Sequence, residues 1–142
     1  MPPMKPVTVT VTIDRPREEI YAVLDDLMNH ESFTDHFLTD FQRTETGIRV
    51  KGKSGGGWME ITPVESTPER IVEEGRSGRG MRRHTKGIYE LKPQNGGTVV
   101  SFTNEIEPAG IGDRLMAPVM RAYLRKQNGR ALKRLKEQME AR

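Results

Sequence analysis

Cysteine is absent from the 142 residues, which excludes disulfides, thiolate zinc sites and cysteine nucleophiles together. Long hydrophobic runs are absent too: no stretch approaches the roughly 20 apolar residues of a membrane helix, so no stable membrane insertion is expected. The opening residues, Met1-Pro2-Pro3-Met4-Lys5-Pro6, hold no apolar stretch of signal-peptide length, and an unexported, cytoplasmic chain is the expectation. A strong charge bias is also missing from most of the chain. The formal charge is +3, but from Asp113 to Arg142 nine basic residues face three acidic ones, so the remainder is net negative. The basic excess therefore belongs to one C-terminal segment, which argues against a uniformly basic nucleic-acid binder, and no DNA partner is expected.

Apolar residues make up 34% and charged residues 30%. Such a core is economical, yet aliphatic positions recur throughout, which speaks against disorder. The length fits a single domain, residues 1–142, with the proline-rich residues 1–6 expected to be flexible. A homo-oligomer is left open.

Val7, Val9, Val11 and Ile13 alternate with three threonines, the pattern of a half-buried strand. Asp14 is placed to cap a helix, Pro16 fits its first turn, and Ile20, Val23, Leu24 and Leu27 form its apolar stripe. Phe33 and Phe37 suggest a second short helix. From Leu38 to about Glu107, β-branched and aromatic stretches punctuated by Gly and Pro predict six strands: 39–44, 48–53, 58–64, 70–76, 81–91 and 98–106. Asn95-Gly96 is the clearest hairpin turn among them. After Pro108-Ala109-Gly110 a long amphipathic helix is expected, with Met116, Met120, Tyr123, Leu124, Ala131 and Leu135 inward and Pro118 at its start or at a kink. This order defines an α+β chain: a curved seven-stranded antiparallel sheet wrapped around a long C-terminal helix, with two short helices after the first strand. One helix cannot fill so wide a concave sheet, so a cavity is expected between them.

The segment Val9-Thr10-Val11-Thr12-Ile13-Asp14-Arg15-Pro16-Arg17-Glu18-Glu19-Ile20-Tyr21-Ala22-Val23-Leu24, the stretch Met28 to Phe33, and the closing Leu124 to Ala141 with Leu132, Leu135, Lys136, Glu137 and Glu140 resemble the SRPBCC superfamily. That superfamily includes START-like lipid-transfer domains and the polyketide cyclase/dehydrase family. The resemblance covers nearly the whole chain, departs from it where Phe33 stands in place of a frequent Trp, and implies a helix-grip domain with an internal cavity for a hydrophobic small molecule. None of the matching residues is catalytic, and fold alone does not fix function.

Two chemical motifs fail on context. Gly47 to Ser54 matches the G-x-x-x-x-G-K-[ST] phosphate loop letter for letter, but Ile48 and Val50 alternate like a strand and no helix follows. His30, Glu31, Asp35 and His36 lack metal-ligand spacing and read as residues that cap helices and face water, so no metal and no cofactor are expected.

The candidates for a ligand cavity are Trp58, Met81, Arg83, Tyr89, Phe102, Asn104, Met116, Met120 and Tyr123. In the strand 81–91, the more apolar set Met81, Arg83, Thr85, Gly87, Tyr89 and Leu91 is taken as inward. Arg83 then either pairs with an acidic ligand head or reaches water at the strand end. Val100, Phe102, Asn104 and Ile106 form the inward set of the next strand, where the Asn104 amide needs a partner: a ligand, a water or Tyr123. Around Trp58 periodicity does not choose a face. Trp58 inside is the expectation adopted, which would bring Glu60 inside as an acid or base of raised pKa; Met59 and Ile61 inside would leave Glu60 in solvent. His84 is the other weak catalytic candidate.

Three functions follow as expectations. The first is binding or carriage of a small hydrophobic or amphipathic molecule: a lipid, an isoprenoid or a polyketide-like chain. The second, implied by the resemblance, is a cyclase/dehydrase-type enzyme using one acid or base such as Glu60 or His84. The third is an interaction module whose basic helix, through Arg125, Lys126 and Arg130, meets a partner protein or RNA-associated machinery.

Overall fold

A computed structural model describes residues 4–53 and 55–142. Strand β1 (Val7–Ile13) is followed by helix α1 (Arg17–Leu24), a 3-10 turn (Leu27–His30) and the one-turn helix α2 (Glu31–Thr34). Six strands come next: β2 (Leu38–Arg43), β3 (Ile48–Gly52), β4 (Trp58–Ser66), β5 (Arg70–Ser77), β6 (Arg83–Gln94) and β7 (Gly97–Glu107). Helices α3 (Ile111–Leu115) and α4 (Ala117–Glu140) close the chain. All seven strands form one antiparallel sheet in the order β1-β7-β6-β5-β4-β3-β2, an open helix-grip sheet with α4 against its concave side.

The alternation of β1 sets its register. Val7, Val9, Val11 and Ile13 stand opposite Asn104, Phe102, Val100 and Thr98 of β7 on the concave face. On the convex face Thr8 pairs with Thr103 at 2.9 Å and Thr10 with Ser101 at 3.3 Å, hydroxyl to hydroxyl. The β6–β7 hairpin turns through Asn95 (φ 51°) and Gly96 (φ 82°), the two left-handed positions that the Asn-Gly pair accommodates.

The main core joins Ile13, Ile20, Leu24, Phe33, Leu91, Val100, Leu132, Leu135 and Met139, so the C-terminal half of α4, α1 and one end of the sheet bury each other. Polar clamps finish this end: the Asp14 N–H and Lys136 Nζ both donate to Glu140 Oε2 (2.8 and 2.7 Å), and Lys136 also donates to Thr12 O at 2.7 Å. A second cluster at the other end unites Leu27, Ile48 and Val50 with Phe41, Met59 and Ile61.

Locally, some expectations are corrected and others hold. Asp14 does not cap α1; Pro16 occupies the cap position in extended conformation and makes no side-chain cap bond, while the Asp14 N–H is taken by Glu140. Met4 is buried and its N–H donates to Ile106 O at 2.8 Å, which ties the leader to β7; Met1, Pro2 and Pro3 lie outside the described residues. Residues 48–52 of the phosphate-loop pattern form strand β3, and Ser54 lies outside the described residues. Pro118 begins a new helix: Met116 (φ −90°, ψ 0°) breaks α3 from α4, and Pro118 sits in the first turn of α4, where its missing N–H costs no hydrogen bond.

Candidate ligand cavity

Between the concave sheet and α4 lies a cavity of about 140 Å³. Its walls are mainly apolar: Met59 and Ile61 of β4, Tyr89 of β6, Phe102 and Ile106 of β7, and Leu124, Ala131 and Leu132 of α4, with Phe37, Leu38 and Phe41 at the β2 side. The polar groups on the wall are few. They are Glu73, Thr85, His30, Thr34, Asn104 and Asn128.

Glu73 reaches the wall because β5 places Ile71, Glu73 and Gly75 on the concave face, the first in the core and the other two at the cavity. Its Oε2 is out of solvent and has no hydrogen-bond partner. Burial disfavours the charged form and raises the carboxyl pKa from 4.5 to about 7. Directly across the ladder stands Gly87, and a Cβ there would come within 2.9 Å of Glu73 Oε1 and 3.1 Å of Phe102 Cε1. The bare glycine is what lets the carboxyl and the ring edge converge.

Tyr89 packs on Phe102 with ring centroids 4.3 Å apart, and its phenol pKa is pushed up by burial and by the neighbouring Glu73. His30 is buried, not a surface cap as its sequence context suggests. Its ring lies edge-on to Tyr89 at 5.6 Å, and Nε2 lies 2.9 Å from Leu24 O. A carbonyl only accepts, so Nε2 carries the proton and Nδ1 is the bare nitrogen. Burial lowers the His30 pKa, and the imidazole is neutral at pH 7. Asn104 finds its partner in Asn128, whose Nδ2 donates to Asn104 Oδ1 at 2.5 Å, a link from α4 to β7 across the cavity edge.

Of the cavity residues named from the sequence, Tyr89, Phe102 and Asn104 lie on this wall. The others do not. Trp58 faces the convex side, with the Arg49 guanidinium 4.0 Å from its ring centroid. The reason is register: buried Ile48 and Val50 of β3 stand opposite Ile61 and Met59, so these two turn inward and Trp58, Glu60 and Thr62 turn outward. Met81 (φ 55°) sits in a 3-10 turn ahead of β6, which begins only at Arg83. Arg83 grips Asp113 of α3 in a two-pronged pair, Nε to Oδ2 at 2.9 Å and Nη2 to Oδ1 at 2.7 Å. Asp113 also accepts the Ala109 N–H at 2.8 Å, and chiefly through its Arg83 bond its pKa falls to about 2. The residue proposed to greet a ligand is thus a latch for α3.

Met116 and Tyr123 are half exposed, and Met120 lies outside the cavity wall. The buried seam of α4 is Asn128, Ala131, Leu132, Leu135 and Met139; at about 100° per residue Tyr123 stands about 140° round from Asn128, close to the opposite face. Glu60 and His84 share a shallow groove on the convex side, on either side of Arg76, their common cross-strand neighbour. Being in solvent, neither has the apolar enclosure that was to make it an acid or base. Glu73, His30 and Asn128 were missed. A signal existed for Asn128, in the seam with Leu124 and Leu132, whereas nothing local chose between the Ile71 and Val72 faces of β5. Among the described residues no group of three or more His, Asp or Glu side chains is arranged to hold a metal ion, and no helix is long and apolar enough to cross a membrane.

The family model for polyketide cyclase/dehydrase and lipid transport proteins matches residues 4–140, and the chain belongs to that family. Solved structures of similar fold include an aromatase/cyclase from Streptomyces (TM-score 0.76, 16% identity, 96% of this chain and 94% of that one). A Thermus thermophilus protein (TM-score 0.70, 18% identity, 96% and 98%) and a Deinococcus radiodurans protein (TM-score 0.66, 24% identity, 96% and 98%) share it as well. No curated protein matches the chain.

Proposed function

We propose that the protein binds one small, largely apolar molecule between its sheet and α4. The observation that carries this reading is the largely apolar cavity between sheet and helix, with an unsatisfied carboxyl on its wall. Size narrows the guest. Apolar cavities of roughly 150 Å³ hold one benzene ring, whereas drug-sized ligands occupy roughly 300 Å³ or more. A volume of about 140 Å³ suits a one-ring body; a lipid, isoprenoid or polyketide-like chain would need α3 and the first half of α4 to swing away.

The test has two parts. A native mass spectrum of gently purified protein, set beside the denatured mass, should reveal a small co-purified adduct. Titration with toluene, followed by NMR, should perturb cavity methyl groups such as those of Ile61 and Leu124. Ile61→Trp, which fills the cavity from the partly buried edge of β4, should abolish those perturbations while circular dichroism confirms the fold. Toluene shifts that persist in Ile61→Trp would sink the cavity reading.

A second reading, acid–base catalysis of the cyclase/dehydrase kind, is supported by Glu73, because a carboxyl with a pKa of about 7 can both take and give a proton at neutral pH. On that reading Glu73→Gln abolishes turnover of a cyclisable substrate, while Glu60→Gln and His84→Gln on the convex face leave it unchanged.

A further inference from the structure

The cavity wall carries one carboxyl and, among the described residues, no lysine or arginine. Buried polar atoms in folded proteins nearly always have a partner, because desolvation without one is costly. Glu73 Oε2 has none. The groups that face it offer no positive charge: His30, from the 3-10 turn, spends its Nε2–H on Leu24 O, and Tyr89, on β6, is a neutral phenol. The cavity-facing residues of β4 and α4 are Met59, Ile61, Leu124, Asn128, Ala131 and Leu132, none of them titratable.

Two rings stand beside the carboxyl. Phe102 Cε1 and Glu73 Oε1 approach the same point above Gly87, and Tyr89 lies 4.3 Å from Phe102, centroid to centroid. An anionic guest would meet a second acid with no cation between them, a pairing that drives one of the two to protonate. A guest ammonium supplies the partner that Glu73 lacks, and the Phe102 edge and Tyr89 offer apolar surface to its body.

We propose that the cavity is a site for a small organic cation, an amine on a one-ring or similarly compact apolar body, whose ammonium pairs with Glu73 while the body lies against Tyr89, Phe102, Met59 and Ile61. This rests on the reading of the cavity as a ligand site and names the chemistry of its guest. Anions are selected against by the same geometry.

Benzylamine, toluene and benzoate share one ring and differ in charge, and calorimetric or NMR titration of the full chain at mildly alkaline pH compares them directly. Benzylamine should bind about tenfold or more tightly than toluene, and benzoate more weakly than either. Glu73→Gln should bring the benzylamine-to-toluene ratio to about one, and Glu73→Asp, which keeps the charge, should restore part of it. Equal affinity for benzylamine and toluene, benzoate as the tightest ligand, or a preference for benzylamine that survives Glu73→Gln would each overturn the cation site while leaving the cavity reading intact. If neither toluene nor benzylamine binds, both readings fall. Should Glu73→Gln not fold, the ranking of the three ligands on the unaltered protein decides alone.

Discussion

The two halves of α4 are held to the sheet by different forces. The C-terminal half buries Ala131, Leu132, Leu135 and Met139 against β1, α1 and Phe33. The N-terminal half, with α3 before it, leaves Leu115 77% exposed, Val119 58% and Tyr123 40%. Polar latches hold it instead: Arg83 to Asp113, and Arg121 Nε to Lys5 O at 2.9 Å. Leu124 and Asn128, where the two halves meet, form the helix side of the cavity together with Ala131 and Leu132 of the buried half. Apolar burial is cooperative and resists opening, whereas solvent-accessible polar contacts exchange readily with water. One helix is therefore held by apolar packing at one end and by polar contacts at the other.

The largest expected effect lies in the anchor. Leu132→Ala should cost about 2 to 5 kcal/mol in chemical denaturation, since it leaves a hole in a packed core, whereas Val119→Ala should cost under about 0.5 kcal/mol. Similar losses for the two would erase the distinction between the halves.

A second effect comes from the cavity itself. Glu73 has a folded pKa of about 7 against 4.5, so the folded protein keeps a proton that the unfolded chain releases. Stability conferred by that proton is complete at pH 4 and below, falls as pH rises from about 4.5 to 7, and stays lower above. The loss is up to about 3 kcal/mol at about 1.4 kcal/mol per unit. Denaturation at pH 5 and pH 8 should show this decline in the natural protein and not in Glu73→Gln; identical slopes would mean that the carboxyl is solvated.

The smallest concerns the N-terminal half of the helix. Arg83→Met breaks a pair that is partly open to solvent, with side chains 28% and 14% exposed, and should lower global stability by about 1 kcal/mol. Hydrogen exchange should meanwhile quicken in α3 and the first turns of α4 but not around Leu135. Faster exchange at both ends would show that the latch supports the whole helix.

Much of the fold was legible because its signals are local and periodic. The alternation of Val7 to Ile13, the turn at Asn95-Gly96 and the apolar spacing of Leu124, Ala131 and Leu135 each name an element without reference to anything else. The inward sets of β6 and β7 were legible for the same reason, and with them Tyr89, Phe102 and Asn104. On β4 Met59, Ile61 and Pro63 are the more uniformly apolar set, but the large ring of Trp58 on the other phase pointed to the wrong face. On β5 Val72 and Ile71 are equally apolar, so Glu73 could be assigned inward only through its neighbours.

Sequence alone determined the order of elements, the single curved sheet and the closing helix, because hydrophobic period and turn chemistry are properties of short segments. Tertiary structure decided which side of β4 turns inward, through the pairing of Met59 and Ile61 with Val50 and Ile48. It also gave Arg83 to Asp113 instead of to a ligand, and set Glu73 without a partner beside Phe102. Those outcomes depend on strand register and helix phase, where a shift of one residue moves a side chain from core to solvent.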